Sequence, residues 1–178
     1  MRRRRLHEAA ALVIGLALAL AGPGCSDQGT PNACDLLTTD EAAEILGTAT
    51  VGPEEDTDRT IGGSFCNWRA EGTSSGEGDL AYTLFIDVAG DRGPSDFAGG
   101  LERTGERDDA GRAEPVTGVG DEAYFTSFAQ GELPFLEVRV GEEYLTLGVA
   151  DDDEHPVTER EAREMERRMA EAAVGRMP

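Results

Sequence analysis

The sequence contains no lysine. Its 16 cations are all arginine, set against 36 aspartates and glutamates, and the formal net charge is −20. The first 24 residues carry four arginines and one glutamate, so the remainder of the chain carries −23. A surface this acidic repels nucleic-acid phosphates and anionic lipid headgroups. Nucleic acid is therefore excluded as a partner, and membrane association without a covalent anchor is unfavourable. The charge keeps a tethered domain soluble, or else suits a basic partner or divalent cations.

Histidine is scarce, with His155 the single one beyond the first 24 residues. A Ser-His-Asp triad would have to use it, yet no G-x-S-x-G elbow is present. Zinc needs several nitrogen or sulfur ligands, more than one histidine and three cysteines used elsewhere can supply. No catalytic residue, metal or cofactor is therefore expected. Aromatic residues make up only 6% of the chain, which predicts a mostly aliphatic core. No apolar run is long enough to span a bilayer, which takes roughly 20 residues; the longest is Ala9 to Ala21.

That run follows Arg2 to Arg5 and precedes Gly22, Pro23, Gly24 and Cys25. A basic start, a short apolar core and small residues before a cysteine form the grammar of an export signal. It predicts a signal peptide over residues 1–24 and acylation of Cys25, which would anchor the protein to a membrane from outside the cytoplasm. Residues 25–33 read as a polar tether. Gly22 and Pro23 stand where a lipoprotein signal usually has an aliphatic residue and a small one. Ordinary cleavage after Ala21 or Gly24 is the alternative, and it leaves a secreted protein with an odd thiol.

Three cysteines are present. If Cys25 takes the lipid, Cys34 and Cys66 remain as an even pair, expected to form a disulfide in an oxidising compartment. Such a crosslink stabilises by roughly 3 kcal/mol through loss of chain entropy in the unfolded state. A redox role is disfavoured, since no C-x-x-C motif is there to lower a thiol pKa.

Residues 34–178 are of one domain's length. Thr38 and Glu41 form a capping box for a helix that closes at Gly47. Gly52 to Arg59, rich in glutamate and aspartate, reads as a loop. Ser64 to Arg69 reads as a strand placing Cys66 and Trp68 on one face. Leu80, Tyr82, Leu84, Ile86 and Val88 alternate as a half-buried strand. Pro94 to Arg107 reads as a helix weakened by Gly99 and Gly100, followed by a charged irregular stretch over Thr104 to Glu114. Strands follow over Glu122 to Phe128, Pro134 to Val140 and Glu143 to Val149, the last two joined across Gly141-Glu142. A second capping box, Thr158 and Glu161, opens a C-terminal helix with a stripe of Ala162, Met165, Met169 and Ala172. The order predicts an α+β fold, an antiparallel β-sheet packed by N- and C-terminal helices on one face or both, in a single domain.

Other chemistry finds little support. Asp151 to Glu154, and Glu54, Glu55, Asp56 and Asp58, are acidic clusters of the kind calcium accepts, but neither follows the spacing of a calcium loop. Gly118-Val119-Gly120 runs into a strand, whereas a phosphate loop opens a helix. A hydrolase using clustered carboxylates is one alternative to a binding domain, and an apolar-ligand carrier or sensor is another.

Cys34-Asp35-Leu36-Leu37 opening an alanine-rich helix, Cys66-Asn67-Trp68 in a strand, and Gly118-Val119-Gly120-Asp121-Glu122-Ala123-Tyr124 together resemble a family of actinobacterial envelope lipoproteins of unknown function. Many members carry a second cysteine pair in a later strand and the last helix, which this chain lacks. The resemblance implies an anchored, non-enzymatic envelope protein that acts as a binding or accessory domain for an unknown envelope protein or ligand. It transfers no catalytic residue. A monomer is expected.

Overall fold

The structure, a computed structural model, describes residues 30–56, 63–73, 81–89, 113–126 and 132–178. The expected signal peptide, Cys25 and most of the tether lie outside the described residues, as does the helix expected over Pro94 to Arg107. A short 3-10 turn over Ala33–Asp35 is followed by α1 (Thr39–Leu46) and three strands, β1 (Thr50–Asp56), β2 (Ser64–Ala70) and β3 (Thr83–Ala89). The second half supplies β4 (Glu114–Val116), β5 (Glu122–Thr126), β6 (Phe135–Val140), β7 (Glu143–Ala150) and α2 (Glu159–Val174).

The strands form one antiparallel sheet of seven in the order β1-β2-β3-β7-β6-β5-β4. It consists of two meanders, β1–β3 and β4–β7, each built from strands consecutive in sequence. They meet at one seam, where Thr83–Ala89 pairs with Tyr144–Ala150. The fold is thus α+β with an antiparallel sheet, as the order of elements predicts.

Alternation of side chains explains the core. Cys66, Trp68, Leu84, Ile86, Val88, Leu136, Val138, Leu145 and Leu147 point to one face of the sheet and are fully buried. Residues of both helices join them in one apolar cluster, among them Ala42, Ile45 and Leu46 from α1 and Ala162, Met169 and Ala173 from α2. α1 lies against β1–β3, α2 against β6 and β7, and the helices touch each other. Arg176 binds Glu41 with both carboxylate oxygens at 2.7 and 2.9 Å, fastening the end of α2 to the start of α1.

Both capping boxes form. In each, a glutamate N–H bonds the threonine hydroxyl and the glutamate carboxylate accepts the threonine backbone N–H, for Thr38 with Glu41 and for Thr158 with Glu161. Gly47 takes a left-handed conformation at φ 72° that ends α1, a conformation glycine adopts without steric cost.

Four expectations need correction. Residues 50–56 form strand β1 where Gly52 to Arg59 reads as a loop; residues 57–59 lie outside the described residues. Acidic residues and Pro53 argue against a strand locally, but an edge strand tolerates both, and β2 supplies the pairing partner. The register slips between Val51 and Glu54 at a bulge that contains Gly52 and Pro53. Likewise Glu114 begins strand β4 and does not end an irregular stretch. Of the strand expected from Leu80, Leu80 lies outside the described residues, and β3 begins at Thr83 after a bend at Tyr82. In α2 the fully buried stripe is Ala162, Glu166, Met169, Ala170 and Ala173, whereas Met165 and Ala172 are half-buried. The helix is rotated from the expected stripe, which places a glutamate in the core.

Candidate functional site

Four groups of residues bear on function, and the first is the crosslink. Cys34 and Cys66 are joined, with Cα atoms 5.1 Å apart. The approach is held from both sides: Asn32 Oδ1 accepts the Cys34 N–H at 2.8 Å, and Ser64 Oγ accepts the Ala33 N–H at 2.9 Å. Because Cys66 lies on the core face of β2, the bond pins the N-terminal turn against the sheet beside Trp68, which is fully buried.

The acidic run after β7 is the second. Asp152 Oδ1 accepts the backbone N–H groups of Glu154 (3.0 Å) and His155 (2.7 Å) and lies 2.8 Å from His155 Nδ1. Its Oδ2 accepts the Tyr82 N–H at 3.3 Å, and Asp151 Oδ2 accepts the Val157 N–H at 3.2 Å. Desolvation pushes the Asp152 carboxyl up, but the bonds from the His155 ring and backbone, with that from Tyr82, more than offset it, so it titrates below its ordinary range. The His155 ring stacks on Tyr82 with centroids 5.2 Å apart and planes 5° apart. Tyr82 in turn donates its hydroxyl to the Leu46 carbonyl at 3.2 Å. Burial raises the Tyr82 pKa, and the charges of Glu161 and Asp152 add to the rise. Asp152 and His155 thus stitch the β7–α2 turn to the start of β3 and the end of α1. Two acids of the run are committed to backbone donors, and no nucleophile is aligned with His155 in these contacts.

The other acidic stretch sits elsewhere. Glu54 and Glu55 are exposed on edge strand β1, and Glu54 pairs with Arg69 at 3.3 Å. Among the described residues, no group of three or more histidine, cysteine, aspartate or glutamate side chains converges as a metal site would require.

A third group occupies the sheet face opposite the apolar cluster. Strand register places Asp87, Thr146, Glu137 and Tyr124 side by side across β3, β7, β6 and β5. Thr146 donates its hydroxyl to Glu137 Oε2 at 2.7 Å. Tyr144 hydrogen-bonds with both Glu137 and Tyr124; burial is the main cause that pushes its hydroxyl pKa far upward, with the Glu137 charge next. The adjoining row carries Phe85 and Phe135 over Gly148, with ring centroids 5.8 Å apart, and Phe65 stacks on Phe85 at 5.8 Å. A Cβ at position 148 would collide with the Phe85 ring, so glycine is what lets both rings lie close to the strand. Sequence reasoning overlooked this cluster: Glu137 and Thr146 meet across the expected hairpin, but Asp87 and Phe85 join them only through long-range register.

Fourth is Glu166, at 0% exposure in α2, with neither carboxylate oxygen hydrogen-bonded among the described residues. It was legible in principle. Ala162, Glu166, Met169 and Ala173 fall at helical spacing on one stripe, and a stripe chosen by hydropathy alone passes over the glutamate.

Cys25 lies outside the described residues. Among the described residues no helix is long and apolar enough to cross a membrane. Comparison of the chain with protein-family models, curated proteins and solved structures returns no match.

Proposed function

We propose that this chain is an exported lipoprotein held at the outer side of a cell membrane by acyl chains on Cys25. Residues 1–24 are its signal peptide and residues 25–33 its tether. Residues 34–178 form a single α+β domain, with helices packed on the sheet, that binds an envelope partner or ligand and does no chemistry of its own. The observation that carries the reading is the Cys34–Cys66 bond. Disulfides persist in oxidising compartments, which agrees with export. The bond also consumes two of the three cysteines, leaving Cys25 as the one odd thiol in the chain, placed directly after the signal.

Binding is favoured over hydrolysis by how the acids are used. Asp151 and Asp152 hold backbone N–H groups, and Glu137 is tied to Thr146. A hydrolase needs acids aimed at a substrate with pKa values poised apart, and these serve the fold. Both sheet edges carry proline, Pro53 in β1 and Pro115 in β4, which discourages strand pairing between copies and supports a monomer.

The test is fractionation of cells expressing the full chain and its Cys25→Ser variant. The native protein should partition with membranes and incorporate labelled fatty acid. The variant should incorporate none and move to the soluble extracytoplasmic or secreted fraction. Retention of the variant on membranes would overturn the anchor.

A further inference from the structure

A glutamate side chain at the centre of an apolar helix face needs an explanation that packing does not supply. Ala162, Met169, Ala170 and Ala173 surround Glu166 on the buried side of α2. Among the described residues neither of its oxygens finds a hydrogen-bond partner. The cation whose charge acts on it, Arg163 of the same helix, is committed elsewhere. It binds Glu114 at 2.5 Å and Glu159 at 2.8 Å, and its guanidinium lies 4.7 Å from the centre of the Phe125 ring. From the sheet, β6 contributes the negative charge of Glu137, and β7 contributes the Val149 backbone without a hydrogen bond of acceptable geometry. On α1, Glu41 is held by Arg176. No cation on α1, β6 or β7 is bonded to Glu166.

An ionised carboxylate left unpaired in such surroundings carries a desolvation penalty that the charge of Arg163 and the Val149 backbone offset only in part. The neutral acid fits the same space at far lower cost. We propose that Glu166 is a proton-gated latch: with its proton it lets α2 lie flat on β6 and β7, and on losing it the carboxylate must leave the core, loosening the helix. Burial pushes this carboxyl up to about 9; Arg163 and the Val149 backbone pull it down, and Glu137 pushes it further up.

The sign follows from linkage. In the unfolded chain the acid titrates at its ordinary 4.5 and in the folded protein near 9. The unfolded state therefore binds fewer protons between these values, and stability falls as pH rises through that window. Below it the stability is fully present. The limiting slope is tenfold in the folding equilibrium per pH unit. The C-terminal end of α2 obeys the opposite rule. Hydrogen bonds from Arg176, then from the Thr38 backbone, hold the Glu41 carboxyl down near 2, so that fastening weakens only when pH drops below the ordinary carboxylate value. The helix is held at its end by a charge and in its middle by a proton.

Thermal unfolding of the full chain in detergent, followed by circular dichroism at pH 5, 7 and 9, tests the latch with Glu166→Gln alongside. The native melting temperature should fall by about 5 °C or more from pH 5 to 9. The variant should melt higher than the native protein at pH 8 and lose most of that slope. Parallel pH curves for the two proteins would overturn the proposal. Should the variant fail to fold, infrared spectroscopy of the native protein labelled with carbon-13 glutamate decides the question. A protonated-carboxyl band at pH 7 that vanishes near pH 9 supports the latch, and its absence at pH 7 sinks it.

Discussion

Each face of the sheet buries a glutamate, and the two are treated in opposite ways. Glu137, 5% exposed, is met by the Thr146 hydroxyl and by Tyr144. Glu166, 0% exposed, meets alkyl groups and no hydrogen-bond donor of acceptable geometry. Burying a polar group costs little once its bonds are replaced and much when they are not. One face therefore uses its acid as the centre of a network that fixes side-chain positions. The other accepts its acid only in the uncharged form. The contrast shows that burial alone does not define a role for a carboxylate; the donors within reach define it.

The comparison can be broken or sharpened by substitution on each side. The largest effect belongs to the helix-covered face. Trp68→Ala removes a fully buried indole next to the crosslink and should lower stability by about 3–5 kcal/mol in denaturant unfolding. On the opposite face Glu137→Ala removes the acceptor of the Thr146 hydroxyl and one of the two partners of Tyr144, and should cost about 1–3 kcal/mol. If it costs nothing, the network is not what holds that face. Gly148→Ala drives a methyl group into the Phe85 ring and to within 2.8 Å of Phe135 Cδ1. The rings can shift, so the expected loss is the smallest, about 1 kcal/mol at the low end of overpacking costs. A loss as large as that of Trp68→Ala would mean that the aromatic face is packed as rigidly as the helix face.

How much of this was legible in the sequence depends on the range of the interaction. Both capping boxes, the Gly47 stop and the Gly141-Glu142 hairpin are set by residues a few positions apart, and all appear in the structure. The Cys34–Cys66 bond was reached by counting cysteines, and it spans the first turn and β2. Strand β1 escaped notice because Gly52, Pro53, Glu54 and Glu55 each favour a loop locally. Only the backbone of β2 makes them a strand. The orientation of α2 was missed for a related reason: periodicity weighted by hydropathy skips Glu166, though Ala162 and Met169 bracket it on the same stripe. His155 drew notice in the sequence only as the one histidine a triad could use. It is partly exposed; its bond to Asp152 is local to the turn, whereas its stacking on Tyr82 depends on the end of β7 and the start of β3 lying together.

The seam between β3 and β7 carries a consequence of its own. All other strand pairs join neighbours in sequence, so each meander can assemble from its own local contacts. Joining them requires residues 83–89 to find residues 144–150, and contacts of such separation are the slow step in building a sheet. The molecule is in this sense two half-proteins zipped along one line. A chain severed between Ala89 and Glu114 would keep every strand pair it started with. Its halves would remain joined by the seven residue pairs of that seam, by the shared apolar cluster, by the contacts of Tyr82 with Asp152 and His155 and by the Arg176–Glu41 fastening, like a hinge with its pin still in place.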